Sequence, residues 1–140
     1  MIDIQSFTHQ HDALLERINT LQSMLSRSKE EWKIDSIHSN LISFFGELNV
    51  HLAMEDKSLY PNLLSHKNKT VRNLAKEFLM EMGNLANEVK VYRNHWISQS
   101  RILASPQKFF DDSQALFRAL KYRIKRENQE LYPLIDQSES

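Results

Sequence analysis

The sequence predicts an all-α protein, an antiparallel up-down-up-down four-helix bundle made of two helical hairpins related by a pseudo-twofold axis. Three observations carry this. Apolar residues recur at spacings of three and four through four long stretches. Only 2 glycines and 3 prolines occur in 140 residues, which long helices tolerate and a sheet with many turns does not. The chain also repeats itself: Glu55, Leu59, Tyr60 and Pro61 return at the same spacing as Glu127, Leu131, Tyr132 and Pro133. One domain over residues 1–140 is expected.

The first helix is expected from about Asp3 into the stretch 26–29, with Ile4, Phe7, His11, Leu14, Ile18, Leu21 and Leu25 as its apolar seam. A polar break follows. The second helix is expected to start near Asp35 as N-cap and to carry Ile37, Leu41, Phe44, Leu48, Leu52 and Leu59, with Pro61 kinking or ending it. Residues 65–69 form a loop. The third helix, starting near Thr70, has one seam from Val71 through Phe78, Met82 and Leu85 to Trp96, and frays by residues 98–100. Ser105-Pro106 is a start signal for the fourth helix. Its seam holds Phe109, Leu116, Leu120, Arg123, Ile124, Glu127 and Leu131, and its tail from Asp136 is loose.

Composition removes several functions. There are 18 acidic and 18 basic residues and no cysteine. Zero net charge gives no electrostatic case for nucleic acid or an acidic membrane surface. The missing thiols exclude disulfides, thiolate nucleophiles and iron–sulfur clusters. Neither a secretory leader nor a membrane span is visible, so a cytoplasmic location is expected. No Ser/His/Asp set, Gly-rich phosphate loop or P-loop appears, so no enzyme is expected.

Polar residues break into these seams at matching places. His51 and Glu55 lie four apart, on one helical face. Arg123 and Glu127 repeat the spacing in the fourth helix, and His11 and Met82 fall on the seams of the first and third. A carboxylate on a core face needs a proton, a partner or a metal. Imidazoles and carboxylates on facing helices are how bundles build iron or manganese sites. His9, His38, His66 and His95 are assigned to the surface or its boundary. Tyr60 and Tyr132 are expected to pack near helix ends.

With His11-Asp12, His51-x-x-x-Glu55 followed by Leu59-Tyr60-Pro61, and Glu127 followed by Leu131-Tyr132-Pro133, the chain resembles the hemerythrin-like (HHE cation-binding) family over nearly its whole length. The resemblance implies a four-helix bundle, a non-haem di-iron centre that binds dioxygen or reacts with oxidants, and roles in oxygen carriage, sensing or stress. It implies the metal ligands His11, His51, Glu55 and Glu127. It also implies histidines where this chain has Met82, Arg123 and Ala86.

That residual set suits one iron ion rather than two, or none. A guanidinium is permanently charged and cannot ligate a metal, so Arg123 is expected to take the place of the cation and bridge Glu55 and Glu127. A weak, mononuclear or metal-free centre with a non-catalytic sensing or stress role follows. The alternative is a metal-free helical module that regulates a protein partner. In its Arg-x-x-x-Glu element the fourth helix resembles an anti-sigma regulator, with Asn128 in place of that protein's aspartate.

Overall fold

The computed structural model describes residues 2–139, and among them the chain is all-α, with no strand. Helix α1 (Ile4–Leu25) opens where the Asp3 carboxylate accepts the Ser6 backbone N–H at 3.1 Å. It buries the seam from Phe7 to Leu25, His11 included. Helix α2 (Ile34–Met54) follows a short 3₁₀ turn. Lys33, not Asp35, holds its N-cap position, and no side chain caps it. Asp35 lies in the first turn instead, where its charge meets the positive end of the helix.

Pro61 does not end this helix. The chain widens into a π-helical turn, Glu55–Leu59, and continues as α3 (Tyr60–Leu64). A proline in an α-helix has no N–H for the carbonyl four residues back, and its ring presses on that carbonyl. The wide turn relieves this by letting the Tyr60 N–H bond the Glu55 carbonyl, five residues back.

Asn68 caps α4 (Lys69–Met82), its side chain accepting from the N–H groups of Thr70 at 2.8 Å and Val71 at 3.3 Å. The expected single third helix is two. It breaks at Gly83-Asn84 and resumes as α5 (Leu85–Trp96). Gly83 is required there, because a Cβ would collide with the Leu79 carbonyl oxygen. Where fraying was expected, a short helix α6 (Gln99–Ala104) tucks Ile102 into the core. Helix α7 (Pro106–Arg126) starts at the expected proline, although the Ser105 side chain makes no cap bond. A second π-helical turn, Glu127–Leu131, precedes Pro133 in the same way and leads into α8 (Tyr132–Glu139). The residues from Asp136 to Glu139 are therefore helical rather than loose, and Ser140 lies outside the described residues.

Contacts fix how the long helices run. In α1, Gln10 meets Met54, Arg17 meets Glu47 and Asn40, and Met24 meets Asn40 of α2, so the two are antiparallel. Tyr92 meets Ser113 and Trp96 meets Asp112, so α5 and α7 are antiparallel too. The apolar interior falls into two clusters. On every helix that supplies a buried charged group or imidazole, that group separates them. His11 lies between Phe7 and Leu14, His51 and Glu55 between Leu48 and Leu59, and Arg123 and Glu127 between Leu120 and Leu131. A polar layer crosses the core.

Candidate metal centre

All five charged or imidazole groups of that layer are buried. His11, Glu55 and Glu127 are 0% exposed, His51 is 2% and Arg123 is 3%. Helix periodicity puts them there, because each occupies a position that would otherwise hold an apolar core residue. Burial at this depth makes every unpaired charge costly, so the partners decide what the layer is.

Each histidine is held by an amide. The Nδ1 of His11 lies 2.7 Å from Asn128 Oδ1, and the Nδ1 of His51 lies 2.6 Å from Gln10 Oε1. Amide oxygens only accept, so both Nδ1 atoms carry the hydrogen. Both Nε2 atoms are thereby turned inward, the arrangement that orients imidazoles at metal sites. His51 Nε2 is 3.0 Å from Glu55 Oε1, and His11 Nε2 is 3.1 Å from Glu127 Oε1 and 3.9 Å from Glu55 Oε2.

Arg123 supplies the fixed positive charge. Its Nη2 donates to Glu55 Oε1 at 3.2 Å and to Asp56 Oδ1 at 3.3 Å, and its Nε donates to Glu127 Oε2 at 3.3 Å. Its Nη1 reaches the Met82 carbonyl at 3.4 Å. Met82 is the last residue of α4, and the break at Gly83 leaves that carbonyl at a helix end, where an acceptor lacks an intrahelical donor. So the position expected of a third-helix histidine contributes a backbone oxygen. The Met82 thioether packs with the apolar cluster around Phe78.

Tyr60 and Tyr132, expected to pack near helix ends, belong to the centre. Tyr60 donates to Glu127 Oε2 at 2.6 Å, and Tyr132 donates to Glu55 Oε2 at 3.3 Å. Tyr132 also stacks on His11, with ring centroids 5.4 Å apart. Each repeat thus donates a phenol to the glutamate of the other. The π-helical turns make this reach available. In an α-helix a residue five positions on is rotated by about 140°, whereas in a π-helical turn it returns to nearly the same face. Tyr60 follows Glu55 by five, and Tyr132 follows Glu127 by five. The doubled Tyr-Pro after each glutamate was the available signal.

The electrostatics follow from burial and these contacts. Burial alone would lower the pKa of His11, but the carboxylates of Glu127 and Glu55 outweigh it and raise it to about 9. Burial, together with the charge of Glu55, raises Glu127 to about 7. Glu55 is also penalised by burial, yet the neighbouring imidazoles of His11 and His51 and the charge of Arg123 hold it well below the ordinary carboxylate range. Burial is the first cause of the raised Tyr60 and Tyr132 phenols, which stay protonated as donors. With His11 and Arg123 cationic and both glutamates anionic, the charges of these four groups sum to zero.

The donor set fits one small cation. His11, His51, Glu55 and Glu127 each offer a ligand atom, and the four atoms lie within 4.8 Å of one another. Glu127 Oε1 is buried and has no hydrogen bond by geometry, with His11 Nε2 3.1 Å away as its nearest ion-pair partner. An oxygen left without a donor suits a cation. Arg123 shares Glu55 Oε1 with His51 and bonds Glu127 Oε2, and the void among Leu14, His51, Glu55, Arg123 and Glu127 is about 10 Å³, at most the space of one water. The remaining histidines stand apart: His9 and His95 are exposed, and His38 and His66 are half-buried. His38 Nε2 is 2.8 Å from the Ile97 carbonyl.

The sequence model of the hemerythrin HHE cation binding domain matches residues 3–135. Neither a curated relative nor a solved structure matches the chain. With that match spanning almost the whole chain, and with a buried His/Glu group able to hold a cation, the protein belongs to the hemerythrin HHE cation-binding domain family.

Proposed function

We propose that this chain is an up-down-up-down four-helix hemerythrin-like domain that has exchanged most of its metal for internal charge. Its role is non-catalytic, in sensing or stress, and its centre takes at most one iron ion, weakly. The observation that carries this is Arg123, buried and donating to both site glutamates at 3.2 and 3.3 Å. A guanidinium there supplies the charge that a second metal would bring, and it cannot leave by losing a proton.

His11, His51, Glu55 and Glu127 would hold the single ion. Bound iron would supply a one-electron redox couple. The protein's own part is to hold the ligands. Asn128 and Gln10 fix both imidazole tautomers, Tyr60 binds Glu127 Oε2, and Tyr132 binds Glu55 Oε2. The incoming cation must displace the proton held by His11, so protons compete with metal.

A titration of the metal-free protein with iron(II) under anaerobic conditions, at pH 6 and again at pH 8.5, tests this. One weak site is expected, tighter at the higher pH and lost in His51→Ala. Arg123→His is expected to tighten it. Two tight sites in the unaltered protein would overturn the proposal.

A further inference from the structure

Outside the buried centre, one surface combines an apolar floor with unpaired charge. A groove of about 680 Å³ runs between α2 and α5, within the size range of small-molecule sites. Phe45, Leu52 and Val89 form its floor, and Ile42 and Ile97, 43% and 36% exposed, continue it at one end. The bond from His38 to the Ile97 carbonyl fixes that end near the start of α2. From Ile42 to Ala53 the groove follows α2 for roughly 17 Å at the helical rise per residue, and Asp56 and Lys57 of the π-helical turn close its far end.

Its charge is one-sided. Lys57, Lys90 and Arg93 line it, and none of their side chains has a hydrogen bond or ion pair among the described residues. The only acid lining it is Asp56, whose carboxylate is already engaged by Arg123 at 3.3 Å. Three free cations therefore border an apolar trough with no matching anions.

Gly46 is the second observation. It lies inside α2, where glycine weakens a helix relative to alanine. Gly83 has a structural reason to be glycine, but Gly46 has none: its φ is not positive, and a Cβ there meets nothing within 4 Å. Gly46 opens onto the groove. A side chain at this position would fill the trough without disturbing the packing.

We propose that the groove between α2 and α5 is a binding site for a small amphipathic carboxylate. Its aliphatic body lies on Phe45, Leu52 and Val89 over the space kept open at Gly46, and its carboxylate is held by Lys90, Lys57 and Arg93. The site goes beyond the reading of the buried centre and stands whether or not that centre takes a metal.

Titration of the full chain with decanoate below its micellar concentration tests this, followed by calorimetry and by amide chemical shifts. Decanol keeps the body and removes the charge, while acetate keeps the charge and removes the body. Saturable one-to-one binding of decanoate is expected, at least tenfold tighter than either control. Shifts should be confined to α2, α5 and the π-helical turn that carries Lys57. Lys90→Glu combined with Arg93→Glu, and separately Gly46→Leu, should each weaken it at least tenfold while helical circular dichroism is unchanged. No saturable binding, equal affinity for decanol, or indifference to both variants would overturn the proposal. So would tight binding of an acidic amphipathic peptide that decanoate cannot displace, which would assign the groove to a protein partner.

Discussion

The Arg123 Nη2 atom lies 3.2 Å from Glu55 Oε1, joining two helices through residues that are 68 positions apart in the chain. Arg123 also bonds Glu127 on its own helix at 3.3 Å. One side chain therefore ties together the two carboxylates that the repeat brings into the core. Replacing Arg123 by methionine leaves both glutamates without their fixed cation. Removal of one partner from a buried charge network costs roughly 3–5 kcal/mol. Urea unfolding of the metal-free protein should show that loss, and added zinc should recover part of it by supplying a cation. A variant as stable as the unaltered protein would mean that the glutamates do not depend on the guanidinium.

The phenol of Tyr60 donates to Glu127 at 2.6 Å, while that of Tyr132 reaches Glu55 at 3.3 Å. The shorter bond is the stronger. Tyr60→Phe should cost about 1.5–3 kcal/mol, the range for hydrogen bonds to charged groups, and Tyr132→Phe less. Loss of a donor also disfavours ionised Glu127, so its pKa should rise above about 7. Carbon-detected NMR of the glutamate carboxyls against pH reads that rise. A fall on Tyr60→Phe would contradict the assigned bond.

Stability should depend on pH in a defined direction. His11 has its folded pKa raised from 6.5 to about 9, so its contribution is full below 6.5 and is lost as pH rises through 9. Glu127, raised from 4.5 to about 7, has the same sign: the folded state holds its proton more tightly, and that advantage fades as pH rises through 7. Glu55 is lowered, so its contribution is present above 4.5 and is lost as pH falls through its folded value. The metal-free protein should therefore be most stable in mildly acidic solution and weaken steadily from about pH 6 to 9. Thermal melts across that range should show a falling Tm, and His11→Gln should flatten the slope above pH 7.

Asn128 offers a sharper test of imidazole orientation. Its amide oxygen accepts from His11 Nδ1 at 2.7 Å. Asn128→Leu leaves that buried N–H unpaired, a loss of about 1–3 kcal/mol. Groups that hydrogen-bond the outer nitrogen of a metal-binding imidazole typically contribute 10–100-fold to metal affinity, so weakened metal binding is expected in the same variant. Asn128→Asp should do the opposite for the proton, raising the His11 pKa further. NMR titration of the imidazole separates the two outcomes.

Much of this centre was legible in the residues. His11, His51, Glu55, Arg123 and Glu127 interrupt apolar seams, and helical periodicity alone turns them inward. The repeat further indicated that Arg123 and Glu127 stand against His51 and Glu55. What periodicity could not give was the change of period. Pro61 reads as a kink or a stop, but a helix can instead insert one wide turn, and such turns before Pro61 and Pro133 are what bring Tyr60 and Tyr132 into the centre. The break at Gly83 was hidden for a related reason. The apolar pattern passes through Met82 and Leu85 without a missed beat, while the backbone there is shaped by a close approach of Gly83 to Leu79. Periodicity does not mark Asp56 and Gln10, because each lies off its seam and reaches the layer only through its side chain.

In the proposed reading, Arg123 stands in for metal charge between Glu55 and Glu127. Elemental analysis of protein purified from iron-supplemented cultures, compared with Arg123→His prepared in the same way, tests it most directly. Well under one iron per chain is expected in the unaltered protein, with a clear rise in Arg123→His. Two irons per chain in the unaltered protein, retained through purification, would contradict it.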